Sequence, residues 1–170
     1  MIFKSLKKTI SGVIQKEMPT VFLGFFVFIV QIVQILWLSN MQQPSDAIRL
    51  QLAFSKNSFL SITEAWNQMD QSIFLMHYMF DFFYPAFYGI FLFLILKKMN
   101  FKSARYLPFA AATFDLIENT FHFMLVSGYL PVLDPLVFTG GTASLFKWIL
   151  VAISLILIAA NLRQRFKKTA

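Results

Sequence analysis

Apolar residues gather in four long stretches, roughly Thr20 to Leu38, Ile73 to Leu96, Leu107 to Val126 and Ala143 to Asn161. A helix needs about 20 mostly apolar residues to cross the hydrocarbon of a bilayer. The pattern therefore predicts an all-α polytopic membrane protein, a four-transmembrane-helix bundle forming a single domain over residues 1–170. Ahead of the first stretch, Ile2, Phe3, Leu6, Ile10, Val13 and Ile14 recur at helical spacing with lysines between them. Residues 1–18 are thus expected to form a short amphipathic helix, either on the inner leaflet or packed on the bundle. A cleavable signal peptide would have a shorter apolar core ending at small residues. Here the apolar run leads into Ser39, Asn40 and Met41, which reads as an uncleaved first span.

Residues 41–70 form a loop too long for a turn. Pro44, Ser45 and Asp46 can open a helix, and Ser61 with Glu64 fits a capping box. Ile62, Trp66, Met69 and Ile73 then share one stripe, so the second helix is expected to begin outside the membrane, with Trp66 at the interface. This partly helical outer loop is either a lid over a cavity or a membrane-surface anchor, and its pattern favours the anchor.

The second and third stretches carry polar residues on one face. His77, Asp81, Tyr84 and Tyr88 lie within roughly 60° of one another at about 100° per residue. Pro85 lacks an N–H, so a kink and a freed carbonyl are expected near that face. On the third helix, Asp115, Glu118, Asn119 and His122 span an arc of about 100°. Lys147 lies near the outer end of the fourth, with Ser154 and Asn161 continuing its side. At about 1.5 Å per residue, Asp115 and Glu118 fall within roughly 5 Å of the bilayer centre and Asp81 about 6 Å toward the outside. Lys147 lands near His122. Charged groups at a helix centre cost about 2.5–3.5 kcal/mol each on insertion scales, so these must face inward and be paired, protonated or wetted.

Composition agrees with immersion in lipid. Hydrophobic residues make up 58% of the chain, charged residues 14%, and 22 residues are Phe; a soluble domain carries about 25% charged residues. The absence of cysteine excludes disulfides, thiol catalysis and Cys-based metal sites. The formal charge of +7 suggests nucleic acid only until the basic residues are located. Twelve of the fifteen lie before the first helix, between the second and third, or after the fourth. By the positive-inside rule those segments are cytoplasmic, which puts both termini on the cytoplasmic side of the membrane. The basic charge then reflects topology and anionic lipid headgroups. No basic groove interleaved with aromatics indicates a nucleic-acid partner.

No Walker loop, G-x-S-x-G or H-E-x-x-H is present, and the pair Gly140–Gly141 reads as the opening of the fourth helix. His77 with Asp81, and Glu118 with His122, each set two potential metal ligands one turn apart. Zn²⁺ or Fe²⁺ would suit such donors, but Lys147 nearby repels a cation, so no cofactor is expected. Asp81, Glu118 and Asp115 are the candidate catalytic groups, since carboxyls crowded in a low dielectric divide into protonated and ionised partners. His77, Tyr84, Tyr88, Asn119, His122 and Lys147 are candidate ligand-binding groups, with Lys147 compensating an ionised Asp81 or Glu118.

The run Asp81, Phe82, Phe83, Tyr84, Pro85 and Tyr88, then Asp115, Glu118 and Asn119, then Lys147 and Trp148, resembles a widespread group of small four-helix bacterial membrane proteins. The likeness covers about residues 60–150 and implies the four-helix topology but no activity. Ser144 stands where that pattern has Thr, keeping the hydroxyl. A weaker likeness is to the EXPERA fold of sterol isomerases and sigma-2-type receptors. In that family the first helix supplies an acid, whereas here it offers only Gln31 and Gln34, so no catalytic residue carries over. The expected function is a buried polar intramembrane site for a lipid or other apolar small molecule, with or without acid–base chemistry. The alternatives are an accessory or assembly protein whose cluster is interhelical glue, and a cation or proton carrier. Membrane lipids are the expected partners, with a second copy or another membrane protein as further partners.

Overall fold

A computed structural model describes the backbone of residues 2–169 and the side chains of residues 17–167. Among the described residues the chain is all helical, with seven α-helices and no strand. In order they are α1 (Ile2–Leu38), α2 (Asp46–Gln51), α3 (Lys56–Thr63), α4 (Gln68–Asp81), α5 (Tyr84–Lys98), α6 (Leu107–Val126) and α7 (Asp134–Thr169), with a 3-10 turn at Ala104–Tyr106 before α6. The span from Glu17 to Leu38 and that from Asp134 to Lys167 are each long and apolar enough to cross a membrane. The pair α4 and α5, bent by 44°, forms a third if taken as one. α6 has the bounds the sequence predicted, but its polar residues keep it below the same apolarity.

The bend between α4 and α5 follows from Pro85, the second residue of α5. Proline has no N–H to return to the carbonyl four residues earlier, which is that of Asp81. The helix breaks at Phe82 and Phe83, and Asn119 Nδ2 donates to the freed Asp81 carbonyl at 3.0 Å. The predicted kink is thus a break with a specific partner on α6. At the far end of α5, Asn100 adopts a left-handed φ of 63°. The Asn100 and Phe101 N–H groups return to the carbonyls of Lys97 and Leu96, closing the helix as a Schellman motif.

Three local expectations are corrected. Ser55 caps the start of α3, its side chain pairing reciprocally with Ser58, while Glu64 caps the far end of α3 and α4 starts separately behind its own cap, Asn67. The stripe from Ile62 to Ile73 therefore crosses a break, and Trp66 is half-buried, its ring 4.7 Å from Phe74 and its Nε1 donating to Asp46. Ser45 precedes α2 as expected, but its side chain makes no capping bond. α7 begins at Asp134, nine residues before the expected 143, so Gly140 and Gly141 lie within it. A Cβ at Gly141 would collide with the Ala53 carbonyl, and one at Gly140 would stand 3.0 Å from His122 Nε2. These glycines mark close contacts, not a helix start.

At its N-terminal end, α1 is a single helix through Pro19. The side-chain pattern expected to make residues 1–18 amphipathic falls, up to residue 16, outside the described side chains. From Glu17 to Leu38 only Gln34 is fully buried.

The 41–70 segment folds as a cap. Leu50, Ala53, Phe59 and Ile62 are buried with Phe74 and Tyr78 of α4, Leu125 and Val126 of α6, and Val137 of α7. Ile48 and Leu52 on the segment's outer side are exposed, while its inner face packs on the other helices. A second cluster, Tyr88, Leu92, Ala111 and Ala112, holds α5 on α6 toward the other end.

Candidate functional site

α6 buries Pro108, Ala111, Ala112, Asp115, Glu118, Asn119, His122, Leu125 and Val126. That is one continuous stripe at three- and four-residue spacing, apolar at both ends and polar in the middle. Each polar residue in the middle reaches a different neighbour. Asp115 accepts from Lys147 Nζ of α7 at 3.0 Å and from the Tyr88 hydroxyl of α5 at 2.9 Å. Glu118 pairs with the same Lys147 at 2.5 Å, and its other oxygen lies 3.7 Å from His122 Nδ1. That Nδ1 is 3.1 Å from the Tyr78 hydroxyl of α4. Lys147 itself is 5% exposed, and Glu118, Asn119 and His122 are fully enclosed.

Asp81 belongs to the same layer but has a different partner. Its carbonyl is held by Asn119, and its carboxyl accepts from Gln34 Nε2 of α1 at 2.8 Å. The expectation that Lys147 compensates Asp81 or Glu118 is thus half correct: Lys147 bridges Glu118 and Asp115. The long lysine stem carries the ammonium about a turn from its own Cα, inward of the His122 level predicted from rise alone. His77 is buried beside Tyr78, ring centroids 5.6 Å apart, with Nδ1 unpartnered. Tyr84 is half-buried and packs its ring against Tyr88 at 5.4 Å.

All nine residues singled out in the sequence therefore lie in or against one layer. Gln34 and Tyr78 were missed. Gln34 had a visible signal, an amide in an otherwise apolar span, but only the fold pairs it with Asp81. Tyr78 looked like one more aromatic of an aromatic-rich helix, yet it stands three residues before Asp81 and on the same side. Ser144, noted only as a stand-in for threonine, is fully buried with its hydroxyl unpartnered.

In a low dielectric, Coulomb attraction between Lys147 and two carboxylates is much stronger than in water. Desolvation opposes it; the second oxygen of Asp115 accepts from Tyr88, whereas the second oxygen of Glu118 has no hydrogen-bond partner. Tyr88, Asp115, Lys147 and Glu118 form a connected series across α5, α6 and α7, and the His122–Tyr78 pair that reaches α4 lies beside it, 3.7 Å from Glu118. Glu118 and His122 set two potential metal ligands 3.7 Å apart, and no group of three His, Asp or Glu side chains converges among the described residues. Compared with protein-family models, curated proteins and solved structures, the chain matches none.

Proposed function

We propose that the chain is a four-span protein of the bacterial inner membrane, akin to the small four-helix membrane proteins its motifs resemble, with both termini cytoplasmic. In this reading α6 is a span as well, although its polar residues make it less apolar than α1 and α7. Its 20 residues measure about 30 Å, the thickness of the hydrocarbon, and its polar stripe is turned inward. The four helices enclose a site for the polar end of a lipid or another apolar small molecule.

One observation carries the reading. His77 Nδ1, Asn119 Oδ1, His122 Nε2 and Ser144 Oγ are buried without hydrogen-bond partners, on three helices around the Lys147 cluster. Interhelical glue is saturated, because an unmet buried polar atom costs about 1–3 kcal/mol. Unmet donors and acceptors on this scale call for a polar group from outside the chain. Asp81, bonded to a neutral amide, and Glu118, bonded to Lys147, are the acid–base candidates, with Tyr84 and Tyr88 as further ligand-binding candidates near the bend.

Native mass spectrometry of protein extracted in mild detergent tests this. The wild type should retain a narrow set of lipids or apolar molecules, and Asp81→Asn should lose them while keeping its unfolding temperature. Retention of bulk lipid only, identical in both proteins, would refute the site. Loss of folded Asp81→Asn protein would favour glue.

A further inference from the structure

The cap holds a second polar feature, remote from the Lys147 cluster. Between the turn after α1, helix α2 and the start of α4 lies a cavity of about 190 Å³, bordered by Gln42, Asp46, Arg49, Ala65, Trp66 and Asp70. Two of its walls are buried carboxylates. Asp46, 3% exposed, is fully engaged: Arg49 Nη1 donates to one oxygen at 2.7 Å and Trp66 Nε1 to the other at 3.1 Å. Asp70 is not. It is 2% exposed, its Oδ1 accepts the Gln42 N–H at 2.9 Å, and its Oδ2 has no partner. Among the described residues it joins no ion pair.

We propose that this cavity binds a small organic ammonium group, with Asp70 as its counterion and the Trp66 indole as a wall. The chemistry selects that class. A buried carboxylate oxygen without a donor asks for N–H groups or positive charge. An indole beside it stabilises an alkylated cation through its π face. A calcium ion takes six to eight oxygens from several carboxylates, whereas here one carboxylate is free and Arg49 stands next to the other. An anion would meet Asp70 directly. The ammonium can come from a free amine or from the ethanolamine or choline headgroup of a lipid bordering the cap.

Titration calorimetry of the full chain in detergent with ethanolammonium and with choline chloride is the first arm. Reconstitution in nanodiscs with and without phosphatidylethanolamine, read by native mass spectrometry, is the second. Asp70→Asn keeps the Oδ1 acceptor for Gln42 and removes only the charge, and Ala65→Leu fills the cavity without touching any charged group. Saturable binding of the free ammonium, weakened at least tenfold in both variants, supports the site with a soluble amine as occupant. Retention of the ethanolamine lipid alone, lost in both variants, supports it with a headgroup as occupant. Binding in neither arm overturns the proposal, as does binding that both variants leave unchanged. Calcium binding that depends on Asp70, without amine binding, also overturns it. None of these readouts depends on the intramembrane cluster, so the two proposals fail separately.

Discussion

The cap and the helical bundle are built with opposite polarity. In the cap, Leu50, Ala53, Phe59 and Ile62 form most of the inside, with Asp46 and Asp70 beside them, while Lys56, Asn57 and Glu64 face out. In the bundle, Asp115, Glu118, Asn119, His122 and Lys147 are inside, while Phe80, Phe83 and Ile156 are each more than 60% exposed. The cap follows the rule for a surface in water, where burial of apolar area drives folding. The bundle has the polarity the proposed membrane setting calls for, where apolar side chains gain nothing by hiding and polar ones must find partners inside. In the proposed four-span reading, this change of polarity falls where the chain passes from water into lipid.

Lys147→Met should have the largest effect. It leaves Asp115 and Glu118 buried without a counterion, a loss of about 3–5 kcal/mol. Thermal unfolding in detergent should show it, together with partial recovery when Asp115→Asn or Glu118→Gln is added. Asp81→Asn, whose partner is Gln34, should combine with Lys147→Met additively. Recovery through Asp81 instead would mean that the observed pairing is wrong.

The polarity contrast itself is tested on the outer faces. Ile156→Asp should cost about 2.5–3.5 kcal/mol if that face meets lipid, read as reduced membrane insertion. Asn57→Asp, on the exposed first turn of α3, should stay within about 0.5 kcal/mol. Equal tolerance at both positions would remove the distinction between cap and bundle.

Tyr88→Phe gives the smallest effect within the network. It deletes one donor to a carboxylate, about 1.5–3 kcal/mol, and spares the Lys147 pairs. An unchanged unfolding temperature would show that the Tyr88 hydroxyl does not engage Asp115.

The bounds of α6, the polar faces of α4 to α6 and the break near Pro85 were legible because each depends on helical periodicity or on the missing N–H of proline. The fold of the cap was not. Its helices are six and eight residues long, too short to stabilise themselves, and they exist by packing on Phe74, Leu125 and Val137. Gly140 and Gly141 misled for a related reason: glycine signals a helix end locally, and a close approach only once a neighbour such as Ala53 is in place.

By itself the sequence determined that this chain is helical, that long apolar helices suit it to a membrane, and that acidic, amide and imidazole groups share faces of those helices. Period and composition suffice for that, since they act within one segment. Only the tertiary structure decided who pairs with whom: Lys147 with Asp115 and Glu118, Gln34 with Asp81, Asn119 with the carbonyl that Pro85 frees. Pairing depends on the relative height and rotation of neighbouring helices to within one turn. Those are fixed by the bend at Phe82 and Phe83, by the glycine contacts of α7 and by the cap, none of which periodicity within a single segment encodes.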